Sequence, residues 1–188
     1  MDAVAAAKIL SEADVLVTRY ECDAATSRLA HEITAAIGTA YPLVLAVMGG
    51  ATVFAGQLLP QLAFPLEFDY IHVSRYGDKT RGGKLNWKVE PSRQVEGRTV
   101  LVLDDILDEG ETMAEIRRRV LAMGAARFCC AVFCEKRIAK AKPIAADFVG
   151  VTVPDRYVFG YGMDVSGLWR NLPAVHAMPA PRAQEGAA

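Results

Sequence analysis

The sequence predicts an α/β fold in which a mostly parallel central sheet carries helices on both faces. Two observations lead to this prediction. First, apolar runs of strand length alternate along the chain with segments of helical spacing. Second, a run such as PLVLAVMGG (42–50) is rich in Leu and Val without interruption, which is typical of a strand buried on both faces. Alternation of this kind requires crossover connections, which are right-handed and join parallel strands.

The predicted elements follow one another in a regular order. Apolar spacing predicts helices over residues 2–11, 20–37, 51–63 and 111–123. Extended segments are predicted at residues 15–17, 42–50, 68–74, 99–104, 126–136 and 147–153. The polar, Gly-rich segment 75–88 is predicted to be a loop whose ends can pair as a hairpin. Because no repeat or linker is visible, residues 1–178 are predicted to form a single domain, and the Ala/Pro/Gly-rich tail 179–188 is predicted to be disordered.

The composition argues against several classes of protein. The 188 residues, 52% hydrophobic and 23% charged, suffice for one globular domain with a sizeable core. A net charge of −1 gives no general basis for binding nucleic acid or an anionic membrane. No apolar run approaches the ~20 residues of a membrane helix, and the N-terminus lacks the basic start of a signal peptide, so we expect a cytoplasmic protein. The four cysteines form no CxxC pair and are expected to be buried, reduced thiols, with metal binding or a disulfide as the less favoured alternatives.

The stretch VLVLDDILDEGET (100–112) concentrates negative charge at the end of a predicted buried strand. Asp104 and Asp105 are expected to project in different directions from the strand terminus. Carboxylates accept hydrogen bonds from vicinal hydroxyls or bind a hard cation such as Mg²⁺. Asp108 follows as a third acceptor or a general base. These acids therefore predict a site for a diol or a metal ion.

The residues that follow predict a site for an anion. Gly110 allows a tight turn, after which the backbone N–H groups of 109–112 and the hydroxyl of Thr112 point into a concavity at a helix start. Diol or metal ligands beside such a cradle suit a sugar phosphate. Acids in a first helical turn are favoured by the helix dipole alone, which accounts for Glu109 and Glu111. Since carboxylates repel a phosphate, both side chains are expected to point to solvent, with only their amides facing the ligand.

Three other motifs were compared with the same stretch. An EF-hand does not fit, because Leu107 and Ile116 interrupt its pattern of acids, and a P-loop does not fit because no Gly-Lys-Ser/Thr is present. The strongest rival is a response-regulator receiver, whose first strand also ends in paired acids. It is disfavoured because two strand candidates precede this one, and because the following strand ends in Glu135–Lys136 without a phospho-acceptor Asp.

VLVLDDILDEGET resembles the phosphoribosyl diphosphate (PRPP) motif of type I phosphoribosyltransferases. That motif reads as apolar residues, two acids, two apolar residues and then Asp-x-Gly-x-Thr. AVMGG (46–50) is similar to the family's pyrophosphate loop, and RYGDKTRGG (75–83) to its flexible active-site loop. KPIAADFVGVTVPDRYVFGYGMDVSGLWRNLP (142–173) is similar to the purine-binding end of the hypoxanthine-guanine branch. The motifs stand in the family's order over roughly residues 40–175.

The resemblance implies the type I phosphoribosyltransferase fold and its activity. The core would span about 40–153, and a small hood would come from the N-terminal and 154–175 segments. The implied enzyme salvages purines by transferring 5-phosphoribosyl from PRPP to hypoxanthine or guanine, giving IMP or GMP and pyrophosphate. It would use Mg²⁺ and form a homodimer or homotetramer, without nucleic acid or membrane partners.

The resemblance also implies a role for individual residues. The PRPP ribose would be held by Asp104 and Asp105, and the purine N7 proton would be accepted by Asp108. The 5′-phosphate would be held by Asp108, Glu109, Gly110, Glu111 and Thr112. Pyrophosphate would be met by Met48, Gly49, Arg75, Tyr76 and Arg170, with a cis peptide at Val47–Met48. The purine would be bound by Lys136, Tyr157, Val158 and Asp164. The implied Mg²⁺ ligands are Asp164, Asp104 and Asp105.

Residue chemistry supports one of these roles directly. The ammonium of Lys136 only donates hydrogen bonds, so it suits the 6-oxo group of hypoxanthine or guanine and opposes the amino group of adenine. Two other functions stay open on sequence alone. One is a nucleotide-responsive RNA-binding regulator on the same fold, for which the balanced charge gives no basic face, and the other is a phosphoribosyltransferase for another base.

Overall fold

The computed structural model describes residues 2–75 and 85–179, and of Arg75 and Leu85 it describes the backbone alone. The helices in these ranges are α1 (Ala3–Glu12), α2 (Arg19–Ile37), α3 (Thr52–Leu58) and α4 (Glu111–Ala122). The longer strands are β1 (Asp14–Val17), β2 (Leu43–Met48), β3 (Glu67–Arg75), β4 (Leu85–Val89), β5 (Thr99–Leu107), β6 (Arg127–Lys136) and β7 (Phe148–Val153). Two short strands follow, β8 (Val158–Phe159) and β9 (Val175–Ala177).

The predicted α/β fold is confirmed. A six-stranded sheet has the order β4-β3-β2-β5-β6-β7, in which only β4 runs antiparallel to its neighbour. β2 lies inside this sheet, and none of Leu43–Val47 is more than 6% exposed, which explains its unbroken apolar sequence. Buried residues of α2 and α3 pack on one face of the sheet, and those of α4 pack on the other. The carboxyl ends of the parallel strands therefore meet at one edge, where ligands bind in folds of this type.

A second, smaller sheet forms the hood. It has three antiparallel strands in the order β1-β9-β8, so the N-terminal strand pairs with the last described one. The indole Nε1–H of Trp169 donates to the carbonyl of Ala6 at 3.1 Å, which ties α1 to the segment between β8 and β9. The sequence suggested that the N-terminal segment and residues 154–175 make a hood, and the exact domain limits stay a prediction.

Two predicted element boundaries differ from the observed ones by three residues or more, and the others lie closer. The strand predicted to end at residue 104 continues to Leu107, because β6 runs beside it and supplies ladder partners as far as the pair Leu107–Glu135. The helix predicted over 51–63 ends at Leu58 and continues as a 3-10 turn over Leu59–Gln61, since Pro60 has no N–H for an α-helical bond.

The two ends of the predicted loop 75–88 pair as expected. Residues 72–75 of β3 and 85–89 of β4 form an antiparallel ladder. Residues 76–84 between them lie outside the described residues, and so do the tail residues 180–188.

The cysteines are buried and free, as predicted. Burial raises the pKa of Cys22 and of Cys130 to about 12, so their thiols stay protonated at neutral pH. No helix in the described ranges has the length and apolar character that crossing a membrane requires.

Candidate active site

Two adjoining cavities open at the carboxyl edge of the central sheet. The larger, about 590 Å³, is lined by residues 104–110 together with Thr112, Lys136 and Lys140. The smaller, about 210 Å³, lies toward the hood and is lined by Tyr157, Val158, Met163 and Asp164. Four residues line both cavities: Asp105, Ile106, Asp108 and Lys136. The fold thus brings together most of the residues that the sequence assigned to PRPP and to the purine.

Asp104 and Asp105 lie within β5 and not beyond its end. The Asp104 side chain is buried and accepts a hydrogen bond from the backbone N–H of Asp105 at 3.0 Å. Burial raises the pKa of both carboxyls. The neighbouring Asp105 charge adds to the rise in the pKa of Asp104. The rise in the pKa of Asp105 is opposed by its hydrogen bonds with Asp104 and with the backbone of Ile106, and by the charge of Arg170. Hydroxyl donors or a cation at this position would stabilise the ionised pair.

The loop after β2 lies directly against these acids. A Cβ atom at Gly50 would lie 2.0 Å from Asp105 Oδ2, and a Cβ at Gly162 would lie 2.0 Å from the Gly50 carbonyl oxygen. Because glycine has no side chain, Gly50 can approach Asp105, and Gly162 of the hood can approach the Gly50 carbonyl. The sequence placed Gly50 in the AVMGG loop and Gly162 in the segment 142–173, but it gave neither glycine a role of its own.

The cis peptide expected at Val47–Met48 lies one bond later, at Met48–Gly49. The prediction was wrong because Met48 still belongs to β2, where it is the last residue paired with β3, opposite His72. The cis bond follows this last paired residue. The hydroxyl of Thr52, in the first turn of α3, donates to the Gly49 carbonyl at 2.9 Å.

The cradle that the sequence predicted for a phosphate lies where β5 turns into α4. Gly110 precedes the helix with φ +83°, a left-handed conformation that favours glycine. The cradle amides stand at the N-terminus of a 12-residue helix, where the dipole favours an anion. Sequence predicted this geometry from Gly110 and Thr112.

The two glutamates of the cradle differ in their surroundings. The Glu111 side chain is 52% exposed, and its Oε1 lies 3.7 Å from Lys140 Nζ. Glu109 is half-buried and lines the larger cavity, so the expectation that both face solvent stays open for this residue. Lys140 was not found from the sequence, although it is a lysine placed shortly after the end of β6, which is a usable signal.

Asp108 and Lys136 form an ion pair at the boundary of the two cavities. Lys136 Nζ lies 2.6 Å from Asp108 Oδ2, and the lysine side chain is only 12% exposed. The sequence assigned one to a proton acceptor and the other to a donor, and the structure places their charged groups side by side.

Residues of the hood face the smaller cavity. Tyr157 exposes about half of its surface and donates its hydroxyl to the Asp164 carbonyl at 3.2 Å. The Asp164 carboxylate accepts from Gly167 N–H at 2.7 Å and pairs with Arg170 Nη2 at 2.5 Å. Arg170 Nη1 also donates to the Gly162 carbonyl at 2.7 Å.

The residues assigned to pyrophosphate lie outside the two cavities or outside what the structure describes. Arg170 was assigned to pyrophosphate from the sequence, but its guanidinium lines neither of the two cavities and is bonded within the hood. Met48 and Gly49 do not line them either, although their loop contacts Asp105 through Gly50. Tyr76 and the side chain of Arg75 lie outside what the structure describes. Among the described residues, no group of three or more His, Cys, Asp or Glu side chains converges as a metal site.

Comparison with known proteins agrees with this geometry. The family described as "Phosphoribosyl transferase domain" matches residues 20–166. The chain is 32% identical to the hypoxanthine-guanine phosphoribosyltransferase of Bacillus subtilis (strain 168), over 86% of this chain and 90% of that protein. It is 34% identical to the bifunctional protein TilS/HprT of Listeria innocua, and there it spans only 25% of the relative's length.

Solved structures extend the likeness to the fold. A hypoxanthine-guanine-xanthine phosphoribosyltransferase aligns with a TM-score of 0.81 and 32% identity, over 89% of this chain and 97% of the other. The chain belongs to the phosphoribosyltransferase family, in its hypoxanthine-guanine branch.

Proposed function

We propose that the chain transfers the 5-phosphoribosyl group of PRPP to N9 of hypoxanthine or guanine, with IMP or GMP and pyrophosphate as products. One observation carries this proposal: a cavity with an acid pair and a phosphate cradle adjoins a cavity with a half-exposed aromatic ring, and Asp108 and Lys136 line both. The Bacillus subtilis relative is named a hypoxanthine-guanine phosphoribosyltransferase and the solved structure a hypoxanthine-guanine-xanthine phosphoribosyltransferase, which supports the same choice.

PRPP would occupy the larger cavity. Its 5′-phosphate would accept hydrogen bonds from the amides between Glu109 and Thr112, at the start of α4. Its ribose hydroxyls would donate to Asp104 and Asp105, whose burial leaves them in need of donors. The diphosphate would then extend toward the loop at Met48–Gly49, which Gly50 holds against Asp105.

The purine would occupy the smaller cavity. The 6-oxo group and N7 stand next to each other on the same edge of the ring, so the residues that bind them must also stand side by side. Lys136 and Asp108 meet this requirement, since their charged groups are 2.6 Å apart. Lys136 would donate to the 6-oxo group while Asp108 accepts the proton that leaves N7, and Tyr157 would stack on the base with Val158 at its edge.

The donor set suits Mg²⁺ that is held mainly by the substrate. Mg²⁺ keeps several water molecules and is commonly bound by one or two carboxylates together with substrate phosphates. Asp104, Asp105 and Asp164 supply such carboxylates, without a closed protein cage among the described residues. When bound, Mg²⁺ would neutralise charge on the diphosphate leaving group. The oligomeric state and the cytoplasmic location stay predictions.

The test is a comparison of four bases. Purified protein is supplied with PRPP and Mg²⁺ and with hypoxanthine, guanine, xanthine or adenine, and pyrophosphate release is measured. We expect turnover of hypoxanthine or guanine and none of adenine, because Lys136 cannot accept a hydrogen bond from an amino group. Release of pyrophosphate with none of the bases would overturn the enzymatic function, and a preference for adenine would overturn the role of Lys136.

A further inference from the structure

Lys142 is a largely buried lysine beside the proposed phosphate cradle. It lies on the connection between β6 and β7, and its side chain is 12% exposed. Its ammonium lies 2.7 Å from the Lys136 carbonyl oxygen, 2.9 Å from the Leu107 carbonyl oxygen and 3.3 Å from Glu135 Oε1. Since an ammonium has three N–H donors and no acceptor, these three oxygens use its full capacity.

The three acceptors mark the place where β5 and β6 stop pairing. The last pair of their parallel ladder is Leu107–Glu135. Beyond it, β5 turns into the cradle and β6 turns into the connection that carries Lys142. The ammonium bridges the carbonyls of Leu107 and Lys136. It therefore acts as one further rung between the diverging strand ends.

This bridge stands next to the two groups proposed to meet the purine. Asp108 directly follows Leu107, and Lys136 carries one of the bridged carbonyls itself. The side chain of Lys142 also lies beside the cradle, because a Cβ built at Gly110 would lie only 3.3 Å from Lys142 Cβ. One side chain thus contacts both strand ends and lies beside the turn that follows β5.

We propose that Lys142 is a positioning residue that holds Asp108 and Lys136 at the separation required by N7 and the 6-oxo group of the purine. The proposal rests on the proposed function. Without the ammonium, two partly buried carbonyls and a carboxylate lose this donor, and the strand ends are free to separate. A displacement of about 1 Å in a catalytic group can lower a rate by about a hundredfold. The loss should fall on kcat and on the KM for the purine, while the KM for PRPP changes little.

The experiment uses the variant Lys142→Met, which keeps an unbranched stem and removes the donors. Steady-state constants for hypoxanthine and for PRPP are measured at a temperature where thermal denaturation shows the variant to be folded. We expect kcat/KM for hypoxanthine to fall by about tenfold or more, with the KM for PRPP within about twofold of the wild-type value. Lys8→Met, an exposed lysine on α1, is the matched control and should leave both constants unchanged. Glu135→Gln keeps an acceptor for Lys142 and should lie close to the wild type.

Several results would overturn the proposal. One is a folded Lys142→Met variant with wild-type constants, and another is an equal rise in both KM values. If Lys142→Met does not fold, Lys142→Gln, whose shorter amide retains a donor, takes its place and should give an intermediate loss. Failure of both variants to fold would assign Lys142 to stability alone and reject the positioning role.

Failure of the proposed function would be recognised separately. It would appear as a wild-type protein that forms no IMP. A crystal structure of Lys142→Gln would then decide the inference without any assay. A wider separation between Asp108 and Lys136 supports it, and an unchanged contact at the strand ends rejects it.

Discussion

At the scale of single residues, Asp108 is the group on which the proposed chemistry depends most. Its carboxylate is half exposed and lies 2.6 Å from Lys136 Nζ. Asp108→Asn keeps the shape of the side chain but removes its capacity to take a proton. We expect kcat to fall by about 10²–10⁴-fold, which is the usual contribution of a general base. The Kd for PRPP, measured by calorimetry, should stay within about threefold, and retained full turnover would contradict the assignment.

Lys140 and Glu111 allow a second test at this scale. The ammonium of Lys140 lies 3.7 Å from Glu111 beside the proposed cradle, so Glu111 would compete with a bound phosphate for this charge. Because both groups are more than half exposed, the effect is modest. Lys140→Gln should raise the KM for PRPP by about threefold, and Glu111→Gln should lower it slightly.

The ion pair of exposed Arg118 with partly buried Glu115 provides the control for that test. It lies on the same helix, one turn after the cradle, and does not line the larger cavity. Arg118→Gln should leave the KM for PRPP unchanged. A rise as large as that of Lys140→Gln would show that general charge, and not proximity to the phosphate, sets the affinity.

At the scale of elements, the hood strand β9 makes stability depend on pH. His176 stacks on Phe159 with ring centroids 5.5 Å apart, and its buried Nδ1 has no hydrogen-bond partner among the described residues. Burial lowers the pKa of His176, so the unfolded chain binds a proton here more readily than the folded chain does. The free energy of unfolding should therefore fall as the pH drops below the unfolded histidine pKa of about 6.5.

The comparison of two histidine variants isolates this effect. His176→Phe keeps a ring that can stack on Phe159 but cannot titrate, so it should flatten the dependence of the unfolding free energy on pH below about 6.5. His31 is exposed on α2, and His31→Gln should leave the slope as it is. Urea denaturation at a series of pH values gives the unfolding free energy of the wild type and of both variants. The same slope against pH for the wild type and for His176→Phe would contradict the role of His176.

The helices and strands differ in how well the sequence predicts them. Long apolar strands such as β2 and β6 are recognisable because both faces are buried, and α4 because its apolar residues recur at helical spacing. The end of β5 was placed too early, since charged residues are not expected inside a ladder unless the partner strand is known to continue. β8 and β9 have two and three residues, which is too short for any periodicity.

The site residues were predictable where a contiguous motif or the family resemblance marked them. The stretch 100–112 brings its acids, at the end of β5, and the turn before α4 together over a few residues, so their proximity follows from local spacing. Lys142 and Gly162 act on residues that are distant in sequence, and their contacts depend on the path of a connection and on the docking of the hood. No local pattern encodes such contacts.

At the scale of the whole molecule, Phe133 joins the core to the hood. It is fully buried on β6, with its ring centroid 5.7 Å from that of Phe54 and 4.0 Å from that of Tyr161. Thr26 donates its hydroxyl to the Cys22 carbonyl, so the Tyr161 hydroxyl donates to Thr26 at 2.8 Å. Tyr161 is thereby fixed to both α2 and the sheet.

Removing this ring should affect both stability and binding. Phe133→Ala is expected to lower the free energy of unfolding by about 3–5 kcal/mol, the usual cost of such a cavity. Because Tyr161 then loses its support, the affinity for the purine should fall more than the affinity for PRPP. Phe128 lies on the same strand but is partly exposed. Phe128→Ala should therefore lower the free energy of unfolding less and leave the ratio of the purine affinity to the PRPP affinity unchanged. Urea unfolding and calorimetry measure the two effects, and equal losses of both ligands would contradict the link to the hood.

The pairing of β1 with β9 has a consequence for the order in which a ribosome can build the protein. β1 is made among the first residues described here, but it must wait for residues 175–177 before its partner exists. β5, the cradle and β6 are all complete some forty residues earlier in synthesis. A nascent chain could therefore assemble the proposed sugar-phosphate pocket while the proposed purine pocket is still open. Recognition of the base would become possible only after residues 175–177 have been made.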